Sequence, residues 1–465
     1  MQVDVQCRFI SWKKPAVREQ QGAVLLVLLL FTVTAASAVL VTALNHRTRG
    51  FDGASSSNVL KIAQQALIGY ALGNADLTTA IPPGHLPCPD NNGDGISNVP
   101  CGNRDESAIG RLPWKTLGLS PLRDDSGECL WYAVSGRYKE SPSGNLFADA
   151  DGQFVIFDSN LHRVNGVNNS DKAIAVVFVP GTTLGNQNRS TSAVSKTECG
   201  SQRISDGSSK SNNYLERLSG IDNATGSYSG VVALGGNFNS IPSISDSAFI
   251  LSGSYSALGP VDFNDILAWI SPNDFGPVYR QMQNFVGQHV RQCLQSFAAT
   301  NGSKYPWPAI LDSSSLPDYS DDSGERFGRV ASDLSNTQAS GLNNFWPFDP
   351  IQPSVTCFNW IWWDNWKEQI FYAVDKNSAP TLASGGLLEV DSTNTPIAVI
   401  VAGRKTTSQA RNSQAEKAAI ENYLELGNIP SNGNGRIPAG DESFESINFG
   451  NNPFNDYVCT ATHCS

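Results

Sequence analysis

Asp124-Asp-Ser-Gly-Glu128-Cys-Leu-Trp-Tyr132-Ala-Val134 returns, much further along the chain, as Asp364-Asn-Trp-Lys-Glu368-Gln-Ile-Phe-Tyr372-Ala-Val374. The two strings align without a gap. Asp, Glu, Tyr, Ala and Val coincide, and the positions just before the tyrosine stay apolar in both. Other landmarks follow in the same order. Ala173-Ile-Ala-Val176 is answered by Ile397-Ala398-Val399, and Asn213-Tyr-Leu-Glu216 recurs unchanged as Asn422-Tyr-Leu-Glu425. Phe263-Asn-Asp265 is answered by Phe454-Asn-Asp456. Self-similarity kept in register over several landmarks marks a tandem duplication.

Each half opens on an apolar stripe at helical spacing. Val59, Ile62, Ala63, Ala66, Leu67, Tyr70 and Ala71 form the first; Val278, Met282, Phe285, Val286, Val290, Cys293, Leu294 and Phe297 form the second. Long Pro/Gly-bearing loops come next. Then follow short runs rich in aromatic and β-branched residues, Leu130–Val134 and Ala173–Val179 in one half, Ile370–Val374 and Ile397–Val401 in the other. Helix first and antiparallel sheet after is an α+β order. The expected organisation is a leader (1–22), a membrane helix with its extension (23–57), and two helix-plus-sheet modules (58–275 and 276–465).

Composition narrows the function. Apolar residues make up 40% and charged residues 16%, which fits a packed chain rather than a disordered one. The net charge of -11 disfavours nucleic acid, whose binding needs a concentrated basic surface. The first 22 residues carry Arg8, Lys13, Lys14 and Arg18 against Asp4 and Glu19, so the remainder is more acidic still. Nine cysteines contain no CxxC pair. Cys7 precedes the apolar run. The other eight divide four and four between the halves, an even set that points to disulfides in an oxidising compartment. Pairing neighbours within each half gives Cys88–Cys101, Cys129–Cys199, Cys293–Cys357 and Cys459–Cys464, one of 105 connectivities.

Ala23 to Leu44 holds no charged residue. As a helix it would reach about 33 Å, enough for a hydrocarbon core of about 30 Å. Lys13, Lys14 and Arg18 before it keep the N-terminus cytoplasmic and send the rest across. Three fates fit such a segment: an uncleaved anchor, a secretory signal cut after Ala36-Ser37-Ala38, or a specialised leader. Arg18-Glu-Gln-Gln-Gly22 followed by Ala23-Val-Leu-Leu-Val27 resembles the signal of type IV prepilins. That resemblance implies cleavage between Gly22 and Ala23 by a prepilin peptidase, with methylation of the new N-terminus. Most pilins carry glutamate at the fifth mature position, which here is Val27. The K-type minor pseudopilins of type II secretion also lack it and are placed at the filament tip. Four further strings are similar to prepilin-type proteins. Asp364-Asn-Trp366 and Asp124-Asp-Ser-Gly127 each keep part of a pseudopilin Asp-x-Trp-Gly turn, and Leu86-Pro-Cys-Pro-Asp90 stands with Gly110-Arg-Leu-Pro-Trp114.

Two stretches carry site chemistry. Asp90-Asn-Asn92-Gly-Asp94-Gly95, with Asn98 beyond, matches the start of a calcium loop. Its twelfth position is Cys101 where an EF-hand needs glutamate, so the alternative is a polar turn. Trp346, Trp360, Trp362, Trp363 and Trp366 form either a ligand-stacking surface or core. The alternation of Trp360 and Trp362 favours one buried face of a strand. No HExxH, GxSxG or P-loop occurs, and His46, His85, His162, His289 and His463 are scattered. The expectation is therefore no enzyme. It is a low-copy pilin-like or pseudopilin subunit, inner-membrane anchored with its bulk in the periplasm, whose partners are prepilin peptidase and other pilins. The alternative is a tethered or secreted binding module, an adhesin or carbohydrate binder.

Overall fold

The computed structural model describes residues 56–73, 83–142, 146–185, 187–189, 199, 210–228, 247–250, 263–311, 319–425, 427–430, 442–445 and 455–464. Gly22, Ala23, Val27 and the whole 23–44 run lie outside these residues. Among the described residues no helix is long and apolar enough to cross a membrane.

Helix α1 (Ser56–Gly73) precedes strands β1 (Ala108–Arg111), β2 (Trp131–Val134), β3 (Phe154–Phe157), β4 (Arg163–Asn165), β5 (Ala175–Val179), β6 (Arg217–Leu218), β7 (Ile221–Asp222), β8 (Ser247–Ile250) and β9 (Ile266–Ile270). Helix α2 (Gly276–Thr300) precedes β10 (Phe327–Arg329), β11 (Ile370–Val374), β12 (Leu388–Val390), β13 (Thr393–Asn394), β14 (Ile397–Val401), β15 (Glu442–Phe444) and β16 (Tyr457–Thr460). The fold class is α+β. Strand order is β1-β2-β5-β9 in one four-stranded sheet and β10-β11-β14-β16 in the other, antiparallel throughout. A smaller sheet accompanies each. In β4-β3-β8 the hairpin strand β3 pairs parallel with β8; in β13-β12-β15 the strand β12 pairs parallel with β15. Apart from the extra β6–β7 ribbon, the two halves follow one route.

Alternation along the strands explains the layering. Tyr132, Val134, Val177 and Ile270 face inward from the first sheet, and Tyr372, Val374, Val399 and Tyr457 from the second, all into one core with both helices. The neighbouring positions point the other way. Trp131, Val176 and Phe178 pack with Phe154 and Phe249, while Phe371, Ile400 and Val458 pack with Leu388 and Phe444. Each main sheet is covered on both faces, so β2, β5, β11 and β14 are buried at every residue. Helix α1 lies on β5 and β9, α2 on β14 and β16, and the helices touch each other. Gly287 lets α2 approach its sheet closely, since a Cβ there would meet Cys459 Sγ at 2.8 Å.

The halves share a buried polar seam. Arg404 donates to the carbonyls of Ala150 (3.0 Å) and Ser170 (2.8 Å), and Arg411 Nη1 lies 2.7 Å from Asp149 Oδ2. Tyr138 and Tyr279 hydroxyls meet at 2.7 Å, and Trp366 Nε1 donates to Leu146 O at 3.2 Å. The described residues all fall within one compact unit, Gly53–Ser465. The disulfides are Cys88–Cys101, Cys129–Cys199, Cys293–Cys357 and Cys459–Cys464, none crossing between the halves.

Candidate functional site

Asp90-Asn-Asn-Gly-Asp94 folds into a turn held by its own side chains. Asp90 is fully buried, and its carboxylate accepts from the backbone N–H groups of Asn92 (3.0 Å), Gly93 (2.7 Å) and Gly95 (2.7 Å). Burial raises this carboxyl, and the three donors oppose the rise. Asp94 Oδ1 accepts from Ile96 N, Asn92 Oδ1 from Asp94 N, and Asn98 Oδ1 from Asn91 N. All four expected calcium ligands are thus occupied with backbone donors, as Asx turns do. Among the described residues no three His, Cys, Asp or Glu side chains are placed to hold a metal ion.

The tryptophans belong to an insertion between β10 and β11. All five are buried, but Trp360 and Trp362 stand in a turn leading into a short helix, Trp363–Trp366, not on a strand. They reach the same side because the turn folds them together, ring on ring at 4.6 Å and 6°. Their seat is one row of α2. Phe285, His289, Cys293 and Phe297 are spaced four apart and share a face. Phe285 meets Trp362 (6.4 Å), His289 meets the edges of Trp360 and Trp362 (5.7 and 6.0 Å), Cys293 bonds Cys357, and Phe297 meets Trp346 (5.5 Å). Asp349 lies beneath, fully buried, taking a hydrogen bond from Trp360 Nε1 at 2.6 Å, with His289 Nε2 at 3.8 Å. Burial lowers the His289 pKa, against the opposing influences of the Phe285 carbonyl and Asp349. In the same insertion, Phe345, Phe348 and Ile361 are 62%, 66% and 68% exposed.

A second constellation occurs twice. In each half a tyrosine lies between two guanidinium groups: Tyr214 between Arg111 (4.5 Å) and Arg189 (4.9 Å), Tyr423 between Arg329 (4.8 Å) and Arg411 (4.4 Å). Arg189 Nε donates to Asn213 O and Arg411 Nε to Asn422 O, both at 2.6 Å. Gly110 and Gly328 precede the strand arginines for a steric reason. A Cβ would strike Asn91 and Pro89 in the first half and the Ala309 carbonyl in the second. Glu216 and Asp265 sit against this arrangement in one half, and Glu425 and Asp456 in the other. The repeated Asn-Tyr-Leu-Glu and Asn-Asp strings therefore mark real neighbours. Their arginine partners, Gln187-Asn-Arg189 and Gln409-Ala-Arg411, escape an ungapped comparison because the loop from Arg189 to Asn213 is far longer than that from Arg411 to Asn422.

His162 pairs with Asp158 at the surface, His463 with Thr460, and His289 is 1% exposed. No protein-family model, no curated protein and no solved structure matches the chain.

Proposed function

We propose that this chain is a minor pilin-like or pseudopilin subunit, a low-copy structural component near the tip of a type IV pilus or type II secretion filament, with no catalytic role. The observation that carries the reading is the repeated order of a helix laid on a four-stranded antiparallel sheet, preceded in the sequence by an uncharged 23–44 run with a prepilin-type junction at Gly22–Ala23. On this reading residues 1–22 are removed, 23–57 anchor the protein in the inner membrane, and 58–275 and 276–465 are two pilin-like modules held in the periplasm. Its partners are prepilin peptidase and other pilins. A double-sized head suits an end better than a shaft, where each subunit must fit between neighbours. Val27 in place of glutamate points the same way, because a carboxylate within the membrane is tolerated chiefly when paired.

Intact mass of the membrane-extracted protein tests the processing step. Cleavage predicts a mature start at Ala23 carrying one methyl group, lost in cells without the peptidase. A mature start at Val39 would instead make it a secreted protein. Immunogold labelling of sheared filaments tests placement: label at the ends supports the tip, and even label along the shaft removes it.

The exposed Phe345, Phe348 and Ile361 favour a second reading, a binding module displayed by the second half. Changing all three to serine should leave the fold intact and abolish adhesion if that surface binds.

A further inference from the structure

Glu216 leads into β6 and Asp265 leads into β9, and each backbone is held by the other's carboxylate. Glu216 N donates to Asp265 Oδ2 at 2.9 Å, while Asn264 N and Asp265 N donate to Glu216 Oε2 at 2.9 and 3.1 Å. Asn223 Nδ2 adds a bond to Asp265 Oδ2 at 3.1 Å. The second half repeats the arrangement. Glu425 N donates to Asp456 Oδ2 (3.2 Å), Asn455 N to Glu425 Oε2 (3.3 Å), and Asn428 Nδ2 to Asp456 Oδ2 (3.3 Å). Asp265 and Asp456 are both fully buried. In each pair one carboxyl oxygen finds no other partner: Asp265 Oδ1 in the first, Glu425 Oε1 in the second. Buried oxygens are rarely left bare, and a hydrogen between the two carboxyl groups would satisfy them.

The cations around each pair are shared with other acids. Around the first pair, Arg189 Nη2 is 3.9 Å from Glu216, but the same guanidinium also faces Glu128 at 3.8 Å. Arg111 lies over Tyr214, and Gln187 supplies a neutral donor to Glu216. Around the second pair, Arg411 is already engaged by Asp149 at 2.7 Å. Arg280, from α2, feels Asp456 electrostatically, and Arg329 lies over Tyr423 with the Lys417–Glu368 ion pair nearby. Two buried carboxyls in contact titrate as a pair that keeps one proton.

We infer that each half is closed by an acid–carboxylate pair, Asp265 with Glu216 and Asp456 with Glu425, which takes up one proton on folding and surrenders it to hydroxide in alkali, loosening the strand that completes its sheet. Burial first, and the neighbouring glutamate second, hold both aspartates well above the ordinary carboxylate range. The sign follows. The folded chain binds protons that the unfolded chain has lost, so the stability from these pairs is fully present in acid. It declines as pH rises from the ordinary aspartate value through the folded one. Asn at the aspartate position keeps a permanent donor toward glutamate and should remove this dependence.

Infrared difference spectra of the full-length protein between neutral and alkaline pH test the inference directly. The wild type should lose a protonated-carboxyl stretch in alkali. Asp265→Asn and Asp456→Asn should each remove about half of that signal, and the double variant both contributions, while unfolding at higher pH than the wild type. Should an asparagine variant fail to fold, Glu216→Gln and Glu425→Gln remove the neighbouring carboxylate instead and should move the alkaline loss of the band to lower pH, an unmoved loss overturning the inference. A wild type without the protonated band at neutral pH overturns the inference, as does a band unchanged in the double variant.

Discussion

The two halves keep the same closing devices and differ in what they insert. Both hold the Arg–Tyr–Arg sandwich, the acidic pair and a tyrosine hydroxyl bound to a proline carbonyl, Tyr132 to Pro87 and Tyr372 to Pro306. The first half spends its leading loop on the self-capped Asp90 turn and the Cys88–Cys101 bridge, held from beyond β2 by Lys139, whose buried ammonium donates to the carbonyls of Cys101 (2.7 Å), Asn103 (2.5 Å) and Glu106 (2.8 Å). The second half has Trp307 where Cys88 stands and builds the aromatic insertion between β10 and β11 instead. What the halves have in common is what closes a sheet. What diverged is the connection between sheet strands, where a new surface costs the core least.

The largest asymmetry should come from truncating Trp366 to alanine. Its ring is fully buried and its indole crosses to Leu146, so the loss should be about 3–5 kcal/mol. Trp114→Ala, at 8% exposure, should cost less in parallel urea titrations. Equal losses would break the claim that Trp366 is set apart by its contact across the seam. Next, removing Cys293–Cys357 as a double serine variant should cost about 2–4 kcal/mol, whereas losing the short Cys459–Cys464 loop should cost less, because the closed loop is smaller. Comparison of chemical-denaturation midpoints under non-reducing conditions checks the order.

Arg411→Lys and Arg189→Lys sharpen the comparison further. Lysine keeps charge but loses the fork. The Arg411 change should be worse by on the order of 1 kcal/mol, since only Arg411 also engages Asp149 in the other half. A double cycle with Asp149→Asn measures that excess. The smallest effect is the acid response of His289. Its folded pKa lies below the ordinary histidine value, so the unfolded chain binds a proton the folded chain refuses. Stability should therefore fall as pH drops below about 6.5, by at most about 1.4 kcal/mol per pH unit. His289→Gln should flatten this part of the profile.

Much of the backbone route was legible because the strings that recur, Asn-Tyr-Leu-Glu and Asn-Asp, lie in loops of fixed geometry where each side chain holds main chain. The runs Ile370–Val374 and Ile397–Val401 are strands as their β-branched and aromatic content indicates, and both are buried on two faces. The second helix stripe is buried at every position that the spacing gives, whereas in the first Val59, Ala63, Leu67 and Ala71 are buried, Ile62, Ala66 and Tyr70 are half-buried, and Leu60 joins the core from outside the stripe. The parallel pairings β3–β8 and β12–β15 were not legible, since short strands joined by long loops leave no periodic trace. Nor was the seam: nothing in the strings around Asp149 and Arg404 signals that they meet. Trp360 and Trp362 were readable as buried but not as a turn, because a stacked pair mimics strand alternation. The Asp90 motif is legible as a turn whose Asp and Asn oxygens take backbone donors, and the same spacing suits a calcium loop, so the string alone does not separate the two.

The seam also sets a schedule for synthesis. Leu146, Ala148, Asp149 and Ala150 leave the ribosome well before Trp366, Arg404 and Arg411, the residues that satisfy them. Until the second half arrives, the first presents bare carbonyls and an unpaired carboxylate on a surface destined for burial. A chain stopped between the halves would hold a nearly complete sheet with one unfinished side. Premature release should therefore be more damaging than loss of the same number of residues from an ordinary two-domain protein, where each part finishes alone.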